Sequence, residues 1–355
     1  MHARLLLLTV FACAATQGGV VDRTQVTLGA LSDSAHAVAQ VRVQAVEAAR
    51  VQLDVEGALK GASLLGARLW LPRGQRPLSW AVGERWLVFL SHDGRGWRPL
   101  GSDWQRIPDG GPAYAEAVRS RLPRLDGPAG ALQDALFVQL GAPEARIATD
   151  AAYDLLGFQR LQLTGAQLDR LRLALDRRPA PELFRLCARI GDPALAASVL
   201  RAARQVGADD AALQPAAEAL RAVDPNAMQS LAGDLAGPEA GAVRALSLLG
   251  EMGQGAHAHL QGGLGDARAP VRAAAIRALA RSAEPVTQAQ ANALLQLVRR
   301  GEPDEQRLAL AALARVGPAA LLKAVAREHP DLGLRALAEQ LRRDPSELPR
   351  RILGE

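Results

Sequence analysis

Residues 266–282 read DARAPVRAAAIRALARS, a stretch made almost wholly of Ala and Arg with a few larger apolar side chains. Asp266 stands where a helix opens, and Pro270 falls in its first turn, where a missing N–H costs nothing. Val271, Ala275, Ala278 and Leu279 then recur at i, i+4, i+7 and i+8, which is one stripe of an α-helix. Side chains as small as Ala bury little surface alone. A helix of this kind is built for close approach of neighbours that stack on it.

The pattern recurs along the chain. VRAL begins at 243, VRAA at 271, QRLA at 306 and LRAL at 334, at intervals of 28, 35 and 28 residues. Fourteen helix-like segments of roughly 10–15 residues follow one another between 129 and 343. GDP 191–193, DP 224–225, GP 237–238, GP 317–318 and HP 329–330 punctuate them. Short paired helices with short connections resemble a HEAT-repeat array, clearly over 225–343 and faintly over 128–224. The resemblance implies an α-solenoid over 128–345 whose extended surface binds proteins. It also implies that Asp266, in the turn, pairs structurally with Arg272 across adjacent repeats. Arg244, Arg307 and Arg335 lack an acid at that spacing and are the candidates for a ligand-facing row. Some HEAT-like proteins are intracellular lyases or DNA glycosylases, and this keeps an enzymatic alternative open.

Residues 20–110 follow a different period. VQLDVEG (51–57) sets Val51, Leu53 and Val55 opposite Gln52, Asp54 and Glu56, and QVRVQAV (40–46) repeats the alternation. This predicts a small antiparallel β-barrel-like domain, followed by a Pro/Gly-rich linker at 111–127. The fold class expected is therefore multidomain, a β domain followed by an all-α HEAT-like solenoid, with a tail at 346–355. LDVEGALKG and VGERWLVFL resemble segments of OB-type, netrin-like and metalloproteinase-inhibitor-like barrels found in exported bacterial proteins. The inhibitor family uses an amino-terminal Cys and disulfides. Here Cys187 is the one cysteine beyond residue 13.

All five Trp residues lie in the β region. Trp70 and Trp86 sit within strand-like runs and are expected in the core. Trp80, Trp97 and Trp104 are less constrained and are the candidates for a carbohydrate-stacking platform. The opening MHARLLLLTVFACAATQ has the charged, apolar and small-residue succession of a secretory signal over 1–14. That predicts an exported protein, periplasmic or secreted. Lipidation of Cys13, giving an outer-membrane lipoprotein, is the alternative.

The net charge of +5 is no nucleic-acid signature, because residues 15–110 and 111–355 carry +2 each with no clustering. His257 and His259 are two apart on a helix and point to opposite sides, so they cannot share a metal ion. His92 and Asp93, in SHDGRGW, read as a hairpin turn. Cys187 lies on an apolar helix face and reads as a buried, inert thiol. With no nucleophile in a recognisable setting, the sequence is read as a non-enzymatic protein-binding scaffold. It is expected to need no cofactor and no metal, and to have no transmembrane segment.

Overall fold

The computed structural model describes residues 26–72, 80–100, 107–108, 111–125, 128–161, 163–207, 210–253, 255–282 and 285–354. The expected signal segment 1–14, Cys13 and Trp104 lie outside them. The chain divides into two units, residues 1–122 and 123–355.

The first unit opens with helix α1 (Leu28–Ser34), whose Thr27 hydroxyl accepts from the Ala30 N–H. Six strands follow: β1 (Ala37–Val46), β2 (Arg50–Lys60), β3 (Arg68–Pro72), β4 (Arg85–His92), β5 (Trp97–Pro99) and β6 (Ile107–Pro108). They form an antiparallel sheet in the order β3-β2-β1-β4-β5, with β6 paired to β4. The register Val41↔Val55 and Val43↔Leu53 puts the β-branched and Leu side chains on one face. There they pack with Val51, Leu71 and Leu90. Cα atoms of the edge strands β3 and β5 come within 8 Å of each other, so the sheet curls into a near-barrel. Helix α2 (Pro112–Arg121) occupies most of the expected linker and belongs to this unit, with Val118 fully buried.

The second unit is a succession of helical hairpins. First helices are α3 (Ala129–Gln139), α5 (Gly165–Arg177), α7 (Ala196–Ala203), α9 (Ala227–Asp234), α11 (His257–Leu264), α13 (Gln288–Arg300) and α15 (Ala319–Glu328). Second helices are α4 (Ala145–Gly157), α6 (Pro181–Ile190), α8 (Leu213–Val223), α10 (Glu239–Met252), α12 (Ala269–Arg281), α14 (Pro303–Val316) and α16 (Leu332–Arg343). The first helices begin at steps of 36, 31, 31, 30, 31 and 31 residues, so the repeat extends through 128–224, where the sequence showed it only faintly. Consecutive second helices pack on one another from α4 to α16. One apolar core runs from Leu136 to Leu353. Its last residue belongs to α17 (Glu347–Leu353), a helix packed on α14 where a tail was expected.

Alanine and glycine set the spacing. A Cβ on Gly250 of α10 would lie 2.8 Å from Cα and Cβ of Ala278 on α12. One on Gly263 of α11 would lie 2.9 Å from Ala275 Cβ and from a Leu246 methyl. The Ala-rich stripe of residues 266–282 is thus the surface against which neighbouring glycines fit.

Polar bonds step across the same joints. Gln167 Nε2 donates to Asp134 Oδ1 at 2.6 Å, and Gln290 Nε2 donates to the His257 carbonyl at 2.8 Å, each 33 residues back. Both glutamines also close capping boxes, with Thr164 and Thr287, so helix start and repeat joint share one side chain. Arg221 donates to the carbonyls of Glu251 and Met252 at the end of α10, at 3.2 and 2.8 Å. Arg189 does the same for Leu156 and Phe158 at the end of α4. In each case a guanidinium satisfies helix C-terminal carbonyls that have no intrahelical partner.

Candidate functional site

The row of second helices has one side covered by first helices and flanks covered by one another, which leaves one open face. Its orientation follows from α12. Ala275 meets Gly263 of α11, so residues two before and two after it, about 200° away around the helix, face outward. These are Ala273 and Arg277, both half-buried where the adjoining Ala274 to Ile276 are buried. Ala275 is four residues beyond Val271, the first buried residue of its helix. The same count gives Leu246 on α10, Ala309 on α14 and Ala338 on α16, all fully buried.

In that frame the candidate arginines separate. Arg244 and Arg307 stand two residues before Leu246 and Ala309 and lie on the open face, half-buried and exposed respectively. Arg335 stands three residues before Ala338, as Arg272 does before Ala275, and is turned toward the flank. The four side chains are therefore two staggered pairs rather than one row. Arg277 joins Arg244 and Arg307 on the open face. Its signal was available in the sequence, since it lies four residues beyond Ala273 and two beyond Ala275, outside the apolar stripe.

Asp266 and Arg272 do not pair carboxylate to guanidinium. The Asp266 carboxylate is held by the fork of Arg268, with Nε at 2.8 Å from Oδ1 and Nη2 at 2.7 Å from Oδ2. Arg268 also donates from Nη1 to the Gly237 carbonyl and from Nη2 to the Leu235 carbonyl, so it is the residue that ties this turn to the preceding one. These bonds hold the Asp266 carboxyl down at about 2, the Arg268 side chain first and its backbone N–H next. Arg272 donates from Nη1 to the Asp266 and Ala267 carbonyls, both at 2.8 Å. Its Nε and Nη2 reach Glu305 Oε1 of α14 at 2.9 and 2.7 Å. Arg272 therefore does cross to the next repeat, but to a buried glutamate 33 residues on. Sequence spacing within one turn could not show that partner.

In the β unit two tryptophan expectations reverse. Trp80 is 9% exposed and sits in the core, its ring edge-on to Trp86 with centroids 5.6 Å apart. Trp70 is 39% exposed, because it alternates with the inward Leu69 and Leu71 of β3. The Arg50 guanidinium lies 4.2 Å over its ring and covers one face. Trp97 is half-buried against the core and edge-on to His92 at 4.9 Å. Trp80 therefore leaves the set of platform candidates, and Trp97 is partly taken up by the core and by His92.

His92 and Asp93 form the β4–β5 turn. His92 Nδ1 accepts from the Gly94 N–H, and Asp93 Oδ1 accepts from the N–H groups of Arg95 and Gly96. Gly94, at φ 83°, supplies the left-handed conformation the turn needs. His257 bonds through Nδ1 to Gln290 and through Nε2 to Ser282, at 3.1 and 2.8 Å. Among the described residues no three metal-ligating side chains stand together. Cys187 is fully buried, and burial pushes its thiol up to about 12, far from a nucleophilic thiolate. No helix among the described residues is long and apolar enough to cross a membrane.

No family model matches the chain, and no curated protein matches it. Among solved structures it is similar to the complex of CpcE and CpcF of phycocyanin lyase from Nostoc sp. PCC7120. The similarity has 18% identity and a TM-score of 0.30, and covers 65% of this chain and 97% of that one. The expectation of a non-enzymatic chain is corrected on this finding, since the structure matched is that of a lyase. At that TM-score the likeness carries neither an activity nor a partner over to this chain.

Proposed function

We propose that the helical array is a protein-binding scaffold and that the open face of its second helices is the surface it uses. The observation that supports this is the continuity of that row: second helices pack on one another from α4 to α16. A photo-crosslinking residue at Ala273, on the open face, tests it against one at Leu173, an exposed position on α5. Protein adducts are expected from Ala273 and not from Leu173. Adducts from Leu173 alone would overturn the assignment of the face.

We propose further that the chain is exported. The supporting feature is the apolar run Leu5 to Ala12 between Arg4 and a small-residue segment. Mass measurement of the protein from an envelope fraction is expected to show loss of the first residues. Full-length protein recovered from cytoplasm would remove this part of the reading. Among the described tryptophans, glycan binding by the β unit would draw on Trp70, whose ring is 39% exposed with Arg50 over it. Quenching of fluorescence by cell-wall glycans, lost in Trp70→Ala, is the result that would favour it.

A further inference from the structure

We infer that the open face of α10, α12 and α14 binds an acidic polypeptide segment whose carboxylates pair with Arg244, Arg277 and Arg307. This rests on the protein-binding reading and gives the partner its chemistry. The three arginines stand one to a hairpin, 33 and 30 residues apart, on consecutive packed helices. Helix α12 carries three arginines and no acid. On α10 and α14 the acids are Glu239, Glu251, Asp304 and Glu305, and Glu305 is already held by Arg272. Arg244 makes a bond to the Ala240 carbonyl of its own helix through Nε at 3.1 Å, which leaves its terminal nitrogens for a ligand. Arg277 has no hydrogen bond or ion pair among the described residues. Arg307 is exposed, and the acid whose charge it feels, Asp331, has a carboxylate oxygen taken by the Leu334 N–H.

Beside the arginines Ala273 is half-buried, and Leu248 and Ala311 are fully buried, so the forked cations are the groups this face offers a ligand. Cations at intervals fit an extended chain lying across the helices. Packed helices stand about 8–10 Å apart, and a chain in the extended polyproline-II form rises about 3.1 Å per residue with three residues per turn, so every third side chain lies on one side. Carboxylates roughly three residues apart then meet successive arginines, and each guanidinium can pair bidentately. A nucleic-acid duplex presents a phosphate every ~1.7 Å of axis and takes more contacts than three arginines provide.

The test uses the full chain and fluorescence anisotropy with a labelled peptide of Glu-Ala-Ala repeats. Its Gln-Ala-Ala counterpart, a poly-dT oligonucleotide and vesicles of phosphatidylglycerol in phosphatidylcholine serve as the competing probes. The Glu peptide is expected to bind, with affinity falling about tenfold in Arg277→Gln and again in Arg244→Gln, and unchanged in Arg170→Gln on α5. Retained melting temperature in each variant separates lost binding from lost folding. No binding of the Glu peptide, equal binding of the Gln peptide, or indifference to Arg277→Gln would overturn the inference. So would tighter binding of oligonucleotide or vesicles through the same arginines. A protein crosslinked at Ala273 but insensitive to Arg277→Gln would sink this inference and leave the scaffold reading standing.

Discussion

The two units solve the same problem, covering an apolar face, with opposite materials. The near-barrel closes a sheet on branched aliphatic side chains and Trp80, and its charged pairs, such as Arg68–Asp54 and Arg42–Glu56, lie between neighbouring strands on the solvent side. The helical array fills its core with Ala and Leu and bonds residue to residue at about one repeat's distance. In the sheet a side chain's role follows from its parity. In the array it follows from its neighbour 31 to 33 residues away.

The largest effect should come from the sheet. Trp80→Ala removes a buried ring and leaves Trp86 without its edge-on partner, which is expected to cost about 3–5 kcal/mol. All five tryptophans lie in this unit, so intrinsic fluorescence follows its unfolding while far-ultraviolet dichroism follows the helices. The fluorescence midpoint should fall and the dichroism midpoint should stay. An equal fall in both would mean that the contrast between the units has no thermodynamic meaning.

The next effect belongs to the array. Arg272→Ala removes the cation from the buried Glu305 and the donor from two turn carbonyls, and should cost about 3 kcal/mol. Arg272→Ala with Glu305→Ala should recover part of that loss, because no carboxylate is then left buried without its partner. A double variant less stable than Arg272→Ala alone would show that Glu305 acts through something other than this pair. Gly250→Ala should follow at about 1–3 kcal/mol, since its new Cβ meets backbone of Ala278 that cannot step aside. A neutral result by thermal denaturation would mean the α10–α12 joint is looser than 2.8 Å implies.

The contrast also explains what could be read in the sequence. Each of the fourteen expected helical segments holds a helix, because helix period and breakers are local signals. Two-residue alternation gave the strands, and applied strictly to RLWLP it also puts Trp70 outside; the expectation of a core Trp70 rested on its place in a strand-like run and left its parity out. The linker expectation for 111–127 followed Pro and Gly, yet Pro112 opens a helix there, a position where proline is favoured. In the array the capping-box spacing of TGAQ (164–167) and TQAQ (287–290) is a local signal that the placing of the helices did not use. The second bonds of these glutamines, to Asp134 and His257, have no local signal, because the partner lies one hairpin away. The open face failed for the same reason. Arg244, Arg307 and Arg335 share a motif position in the sequence, and only the packing of α11 against Ala275 shows which of them face outward.

The smallest effect is a pH dependence at the turn. The Arg268 fork holds the Asp266 carboxyl near 2, below the roughly 3.9 of an unfolded aspartate. Because the folded value is the lower one, the unfolded chain takes up the proton first. The contribution of Asp266 is therefore complete above about pH 4–5 and disappears as pH falls through 2. Asp266→Asn keeps an acceptor for the Arg268 N–H but no titrating charge. The melting-temperature gap between the natural protein and this variant should be constant near neutrality and close toward pH 2. A gap that stayed constant down to pH 2 would mean that Arg268 acts through its bonds to the Gly237 and Leu235 carbonyls and that its pairing with Asp266 is incidental.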